Sequence, residues 1–175
     1  EYMEGPVGFS NLDKVGVLVE GFDHIGTMIT WYNHSYYKDH YENLGFVKEK
    51  EYMENKFPAK NADPKLFSKL NDLVKRRYGL KEVNFTKTKE VMPLADEMFD
   101  LFNVIFYLVG IHPEYQNKGV TAVIFNEYYK TFTEKGIDMC YRTPELEENL
   151  AIKQMWKHFD PVIYKRRRTY KKSLS

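Results

Sequence analysis

The chain has 175 residues, of which 43% are hydrophobic, so it is long enough to bury one full core or parts of two. A formal charge of +1 leaves no global field to steer a polyanion. A single cysteine, Cys140, excludes an intramolecular disulfide and a multi-cysteine zinc site.

Residues 1–24 place Gly5-Pro6, Gly8, Gly16 and Gly21 around the apolar run Val15–Val19, which reads as turn, strand, turn. Thr27–Tyr32 reads as a second short strand. Tyr36–Leu44 puts Tyr37, Tyr41 and Leu44 on one helical face, Gly45 caps that helix, and Phe46–Met53 is a strand of alternating charge. Asp63-Pro64 is a helix start, with Asp as N-cap and Pro in the first turn. Leu66, Leu70, Leu73 and Val74 form its apolar stripe, and Gly79 ends it. A strand over Glu82–Lys87 and a helix over Leu94–Phe102 follow.

Val104–Ile111 is apolar throughout and suits a strand buried on both faces. Pro113 ends it, because proline has no N–H for a ladder. Glu114–Lys118 is a short polar loop. From Gly119 a helix carries Val120, Val123, Ile124, Tyr128 and Phe132 at helical spacing, and Gly136 stops it. A strand, a glycine loop and a helix start form an anion-binding geometry, because the first helical N–H groups point outward at the positive end of the dipole. Ile137–Tyr141 is a strand expected to lie parallel beside Val104–Ile111. Residues 144–159 lead into a helix through Trp156 and Phe159. The last strand, Val162–Tyr170, carries Lys165-Arg166-Arg167-Arg168. Strand alternation divides those charges between two faces, which reads as a solvated edge strand rather than a nucleic-acid surface.

The order Ile111-His-Pro-Glu-Tyr-Gln-Asn-Lys-Gly-Val-Thr121 resembles the acetyl-CoA signature of the GNAT acyltransferase superfamily, with Gln116 and Gly119 matching and Thr121 standing where Gly or Ala is usual. Tyr41-Glu-Asn-Leu-Gly-Phe46 resembles the motif that closes a GNAT domain. Asn33, Tyr41 and Phe46 parallel Asn149, Trp156 and Phe159, and the chain as a whole is similar to bacterial proteins with paired GNAT domains. The resemblance implies an α/β (α+β) fold with a GNAT-like mixed sheet flanked by helices in two tandem units. The first, residues 1–60, is expected as a C-terminal half only. Residues 61–79 form a connecting helix, and residues 80–175 the second unit. A segment is expected to be missing at 103/104, because no turn separates helix from strand there.

The resemblance implies an acyl-CoA-dependent N-acyltransferase acting on an unknown primary amine, with acetyl-CoA as co-substrate. Backbone and side chains of Ile111, His112, Gln116, Asn117, Lys118, Gly119, Val120 and Thr121 would hold the cofactor. Asn149 is either a helix cap or a contact to the CoA arm. Tyr141 and Glu145 are the catalytic candidates of the second unit. Tyr41 of the first is either a general acid or a core tyrosine. Trp156 stands where the motif's acid usually lies, and an indole N–H is too weak for that role. A GNAT-fold CoA-binding or scaffold protein without turnover is the alternative, and an aminoacyl-tRNA-dependent transferase a further one. No metal, membrane or nucleic-acid partner is expected. A cytoplasmic location is expected, and a homodimer is compatible with the reading.

Overall fold

The computed structural model describes residues 1–9, 13–27, 29–81, 87–94, 113–115 and 118–174. The protein is a mixed α+β structure of two compact units, one formed by residues 1–61 with 137–175, the other by residues 62–136. The expected divisions at 60/61 and 79/80 are therefore replaced by divisions at 61/62 and 136/137. The reason is long-range pairing: the strand after the first helix and the last strand of the chain are ladder neighbours.

The first unit contains β1 (Tyr2–Gly5), β2 (Val17–Glu20), α1 (Tyr36–Asn43), β3 (Val47–Pro58), β4 (Met139–Tyr141), β5 (Glu145–Leu146), α5 (Leu150–Trp156) and β6 (Val162–Ser173). Its six-stranded sheet has the order β1-β6-β3-β4, with β2 also on β6 and β5 also on β3. Every pair among the described strands is antiparallel. The two long strands pair through opposite charges as well as backbone, since Glu51 faces Arg168 and Glu54 faces Lys165. Buried around them are Val17, Leu18, Met53, Phe57, Phe159, Tyr164 and Tyr170.

The register of this sheet has a local two-fold symmetry. Adding 115 to a residue number carries β3 onto β6, Val47 to Val162 and Tyr52 to Arg167. The observed pair Val47–Lys171 then becomes the observed pair Val162–Lys56, Lys50–Thr169 becomes Lys165–Glu54, and Tyr52–Arg167 maps onto itself. The two register shifts, at Glu49 and Tyr164, obey the same relation. The short strands follow. Adding 137 carries β1 onto β4, and adding 128 carries β2 onto β5, each with the matching partners on the opposite long strand. Each half therefore lends its two short strands to the long strand of the other half. Both halves also place a helix before the long strand, and both junctions use a left-handed residue, Gly45 with φ 81° and Asp160 with φ 46°. Glycine has no Cβ penalty there, and Asp tolerates the conformation better than most residues.

Two expectations for this unit are corrected. None of the described residues of the expected strand Thr27–Tyr32 is in a strand, and Thr30 N–H donates back to the Thr27 carbonyl. No strand is needed there, because the Asn33 side chain serves β2 instead: its Oδ1 accepts from Leu18 N–H at 2.7 Å and its Nδ2 donates to the Leu18 carbonyl at 3.0 Å. The last strand is not a solvated edge. β6 is internal to the sheet, and Lys165 and Arg167 are each 1% exposed. The expected strand at 137–141 is β4, and it pairs antiparallel with β3. Its expected parallel neighbour, 104–111, lies outside the described residues.

In the second unit, α2 (Pro64–Tyr78) begins as the sequence predicts. Asp63 accepts from Lys65 and Leu66 N–H at 3.0 and 3.1 Å, and Gly79 ends the helix with φ 61°. It packs against α4 (Val120–Glu134) rather than standing as a free connector. The buried face is Phe67, Asn71 and Val74 against Ala122, Phe125 and Asn126, with Phe67 edge-on to Phe125. Leu66, Leu70 and Leu73, expected inside, are 36–49% exposed. The aromatic Phe67 takes the contact, and an offset of one residue, about 100° around the helix, turns those leucines off the buried face. A single turn, α3 (Thr88–Val91), lies between. The expected strand at 82–87, all of it but Lys87, and the expected helix at 94–102, all of it but Leu94, fall outside the described residues, as does the junction at 103/104. No helix among the described residues is long and apolar enough to cross a membrane.

Candidate functional site

The N-terminus of α4 is built by one backbone feature and one side chain. Gly119 is the N-cap with φ 77°, and it accepts the first helical hydrogen bond from Ala122 N–H at 3.0 Å. The N–H groups of Val120 and Thr121 ahead of it have no intrahelical acceptor. Gly119 has no side chain to cap them, and no acidic residue stands in that turn. Lys118 precedes them, with its Nζ 5.5 Å from the ring centres of both Tyr78 and Tyr115, which meet edge to face. A lysine at this end opposes the helix dipole, and two aromatic faces hold it in place. The positive end of α4 and the ammonium thus share a place that an external anion would complement. Of the expected cofactor residues, Lys118, Gly119, Val120 and Thr121 lie at this turn, the last two half-buried. Ile111, His112, Gln116 and Asn117 lie outside the described residues.

The remaining candidates belong to the first unit. Tyr141 is 44% exposed on β4, edge-on to Tyr164 at 5.4 Å. Glu145 on β5 is half-buried and pairs with Arg142, whose guanidinium lies 4.5 Å over the Trp156 ring. Burial pushes the Glu145 carboxyl up, against the pull of Arg142, and its Oε2 is buried without a hydrogen-bond partner. Asn149 is the N-cap of α5, accepting from Ile152 N–H at 3.2 Å. Of its two sequence readings, the structure displays the cap. Tyr41 is stacked on Tyr170 at 4.8 Å and edge-on to Phe46, and burial raises its phenol. Its geometry is that of a packed core tyrosine. The two-fold relation places Trp156 at the position of Tyr41, and Trp156 packs against Phe57 and Phe159.

Sequence reasoning missed a second cluster in this unit, centred on β6. Glu54 is 0% exposed; its Oε1 accepts from Arg167 Nε at 2.5 Å and its Oε2 from the Tyr164 hydroxyl at 3.2 Å. Lys165 Nζ donates to the Ile25 carbonyl at 2.6 Å. His24 and Tyr141 both meet the Tyr164 ring edge-on, and Lys56 Nζ lies 5.6 Å from it. Burial, then Glu54, pushes the Tyr164 phenol well above its ordinary value, and burial pushes the Lys165 ammonium down. The bulge at Tyr164 makes this arrangement, because an extra residue in one strand re-aims the side chains beside it. On the opposite face of β6, Arg166 and Arg168 both donate to Glu51, and Arg166 also reaches Glu147. The alternation expected from sequence is therefore present, but the three arginines of the basic run are engaged by carboxylates within the sheet. Acidic residues in the Glu49–Glu54 run, opposite a basic run, are the only signal in the sequence for either network.

No group of three or more His, Cys, Asp or Glu that could hold a metal is found among the described residues. Comparison with protein-family models, curated proteins and solved structures finds no match.

Proposed function

We propose that the protein is an acyl-CoA-dependent N-acyltransferase, moving an acetyl group from acetyl-CoA to a primary amine. The observation that carries this reading is the start of α4: Gly119 as a left-handed N-cap without a side chain, a first turn without acidic residues, and Lys118 held over Tyr78 and Tyr115. Such a turn suits a pyrophosphate, because helical N–H groups and the dipole both favour an anion there. The resemblance of residues 111–121 to the GNAT signature names the anion as CoA. The related register of the two halves of the sheet supports the tandem reading of the resemblance.

In this reaction the amine nitrogen attacks the thioester carbonyl carbon, the C–S bond breaks, and a proton leaves the nitrogen. Holding the two reactants in one orientation contributes ~7–11 kcal/mol to such a step. Of the two proton-handling candidates that the resemblance implies, both in the first unit, Glu145 has a carboxyl raised by burial and Tyr141 is exposed.

A non-catalytic CoA-binding protein is the second reading. It is favoured by Trp156 packing at the acid's place and by Arg142 engaging Glu145. A tRNA-dependent reaction is less favoured, since the basic strand is engaged with Glu51 and Glu54.

The test is thermal unfolding with acetyl-CoA. A ligand that binds the native state must raise its stability, so an absence of stabilisation at millimolar acetyl-CoA removes the first two readings together. Lys118→Glu should abolish the shift without touching the helix backbone. This substitution is cleaner than one at Gly119, where φ 77° strains any side chain. CoA release across a panel of amines separates turnover from binding alone.

A further inference from the structure

The two-fold register of the sheet supplies a control within one molecule. The cluster residues Glu54, Tyr164, Lys165 and Arg167 correspond, by the shift of 115, to Thr169, Glu49, Lys50 and Tyr52. The second set occupies the same pairing and the same kind of bulge, yet it buries no charge cluster. Lys50 has a side chain 40% exposed and pairs with the exposed Glu148, and Thr169 donates or accepts only as a hydroxyl. The scaffold therefore stands without the buried charges, and architecture does not explain their presence in one half.

Lys165 and Arg167 are both 1% exposed, against one buried carboxylate among the described residues of this cluster, that of Glu54. One buried cation is left over, a costly arrangement unless an anion joins it. Glu54 takes the Nε edge of Arg167, and Arg167 Nη1 is buried with no hydrogen-bond partner among the described residues. Lys165 has three donors, and the hydrogen bond found for its Nζ is to a neutral backbone carbonyl, that of Ile25. The segment holding that carbonyl is at the surface, Ile25 being 66% exposed, and the exposed Tyr141 borders the same cluster through Tyr164. The deficit is one negative charge with acceptor atoms, beside a segment that reaches solvent.

We infer that Lys165 and Arg167 form a binding site for a small oxyanion, the carboxylate or phosphate group of a ligand. The oxyanion replaces the Ile25 carbonyl on Lys165 Nζ and supplies the missing acceptor to Arg167 Nη1. Glu54 and Tyr164 orient the guanidinium without neutralising both cations. The inference is independent of acyl transfer, and it concerns residues other than those at the start of α4.

Thermal unfolding of the full chain at constant ionic strength, with sodium chloride exchanged for sodium phosphate or sodium acetate, tests it. The wild type should show a saturable rise in Tm, about 3–6 °C at a tenfold excess over Kd. Response to phosphate alone or to acetate alone assigns the source of the oxyanion. Lys165→Met should lose the response, while its Tm without added anion stays equal to the wild type or rises, because the uncompensated buried charge is gone. Lys165→Gln serves the same purpose should the Met variant fail to fold. Lys50→Met, at the equivalent position of the other half, should respond as the wild type does. General salting effects of phosphate persist in every variant and are thereby subtracted. The inference is overturned if neither anion raises Tm in the wild type, or if the Lys165 variants respond undiminished, which would place the anion elsewhere.

Discussion

Removing one partner of the Glu54–Arg167 pair should destabilise the first unit strongly, and unequally according to which partner goes. The pair is 0% and 1% exposed with an Nε–Oε1 distance of 2.5 Å. At an effective dielectric of 20 and a charge separation of ~4 Å the attraction is ~4 kcal/mol. Breaking a buried pair from one side costs ~3–5 kcal/mol, because the other charge stays behind in a dry place. Arg167→Met leaves Glu54 with the Tyr164 hydroxyl and with Lys165 opposite it on the ladder, so its cost should fall near the lower figure. Glu54→Leu leaves two buried cations and an orphaned Tyr164 hydroxyl, so its cost should fall near the upper one. For a chain of this size the Tm losses are ~6–12 °C and ~10–20 °C respectively. The double variant should lose at least ~2 kcal/mol less than the sum of the singles. Urea unfolding followed by tryptophan fluorescence is the assay, since both tryptophans, Trp31 and Trp156, lie in the first unit. Equal costs for the two singles, or a coupling below ~0.5 kcal/mol, would mean that the two charges do not depend on each other in the folded sheet.

Three further outcomes follow from the geometry. Burial raises the Glu51 carboxyl, but hydrogen bonds from Arg166, Lys48 and Arg168 outweigh burial and hold it below its ordinary value of 4.5. Its contribution to stability is therefore present above that value and lost as pH falls through the folded-state pKa; unfolding measured over a pH series below 4.5 should steepen in the wild type and flatten in Glu51→Gln. Asp63→Ala removes the acceptor for Lys65 and Leu66 N–H and should cost the second unit ~1 kcal/mol in chemical denaturation followed by far-UV circular dichroism. Asp160→Gly relieves a left-handed residue at the junction before β6 and should raise stability by up to ~1 kcal/mol, whereas Gly45→Val at the equivalent junction should lower it.

Local signals in the chain were sufficient for α1, α2 and α4 and their ends. Asp63-Pro64 and Gly79 bound α2, Gly45 closes the turn after α1, and Gly136 follows α4, because caps and left-handed residues act over one turn and need no distant partner. The relation between Tyr41 and Trp156 was also visible as a pattern, and the register of the sheet pairs the same two positions. The Asn33–Asn149 match shifts by one, since adding 115 to Asn33 reaches Glu148. What the tertiary structure alone decided is the exchange of short strands between halves. β4 and β5 have three and two residues, too few to show a period, and their partners lie far away in sequence. The burial of Lys165 and Arg167 was decided in the same way. A basic run reads as solvent-facing from its own composition, and only the register that brings Glu54 beside Arg167, 113 residues away along the chain, turns two of those cations inward. A charge can leave water only where a counter-charge or an acceptor meets it, and that meeting is a property of the sheet rather than of any one segment.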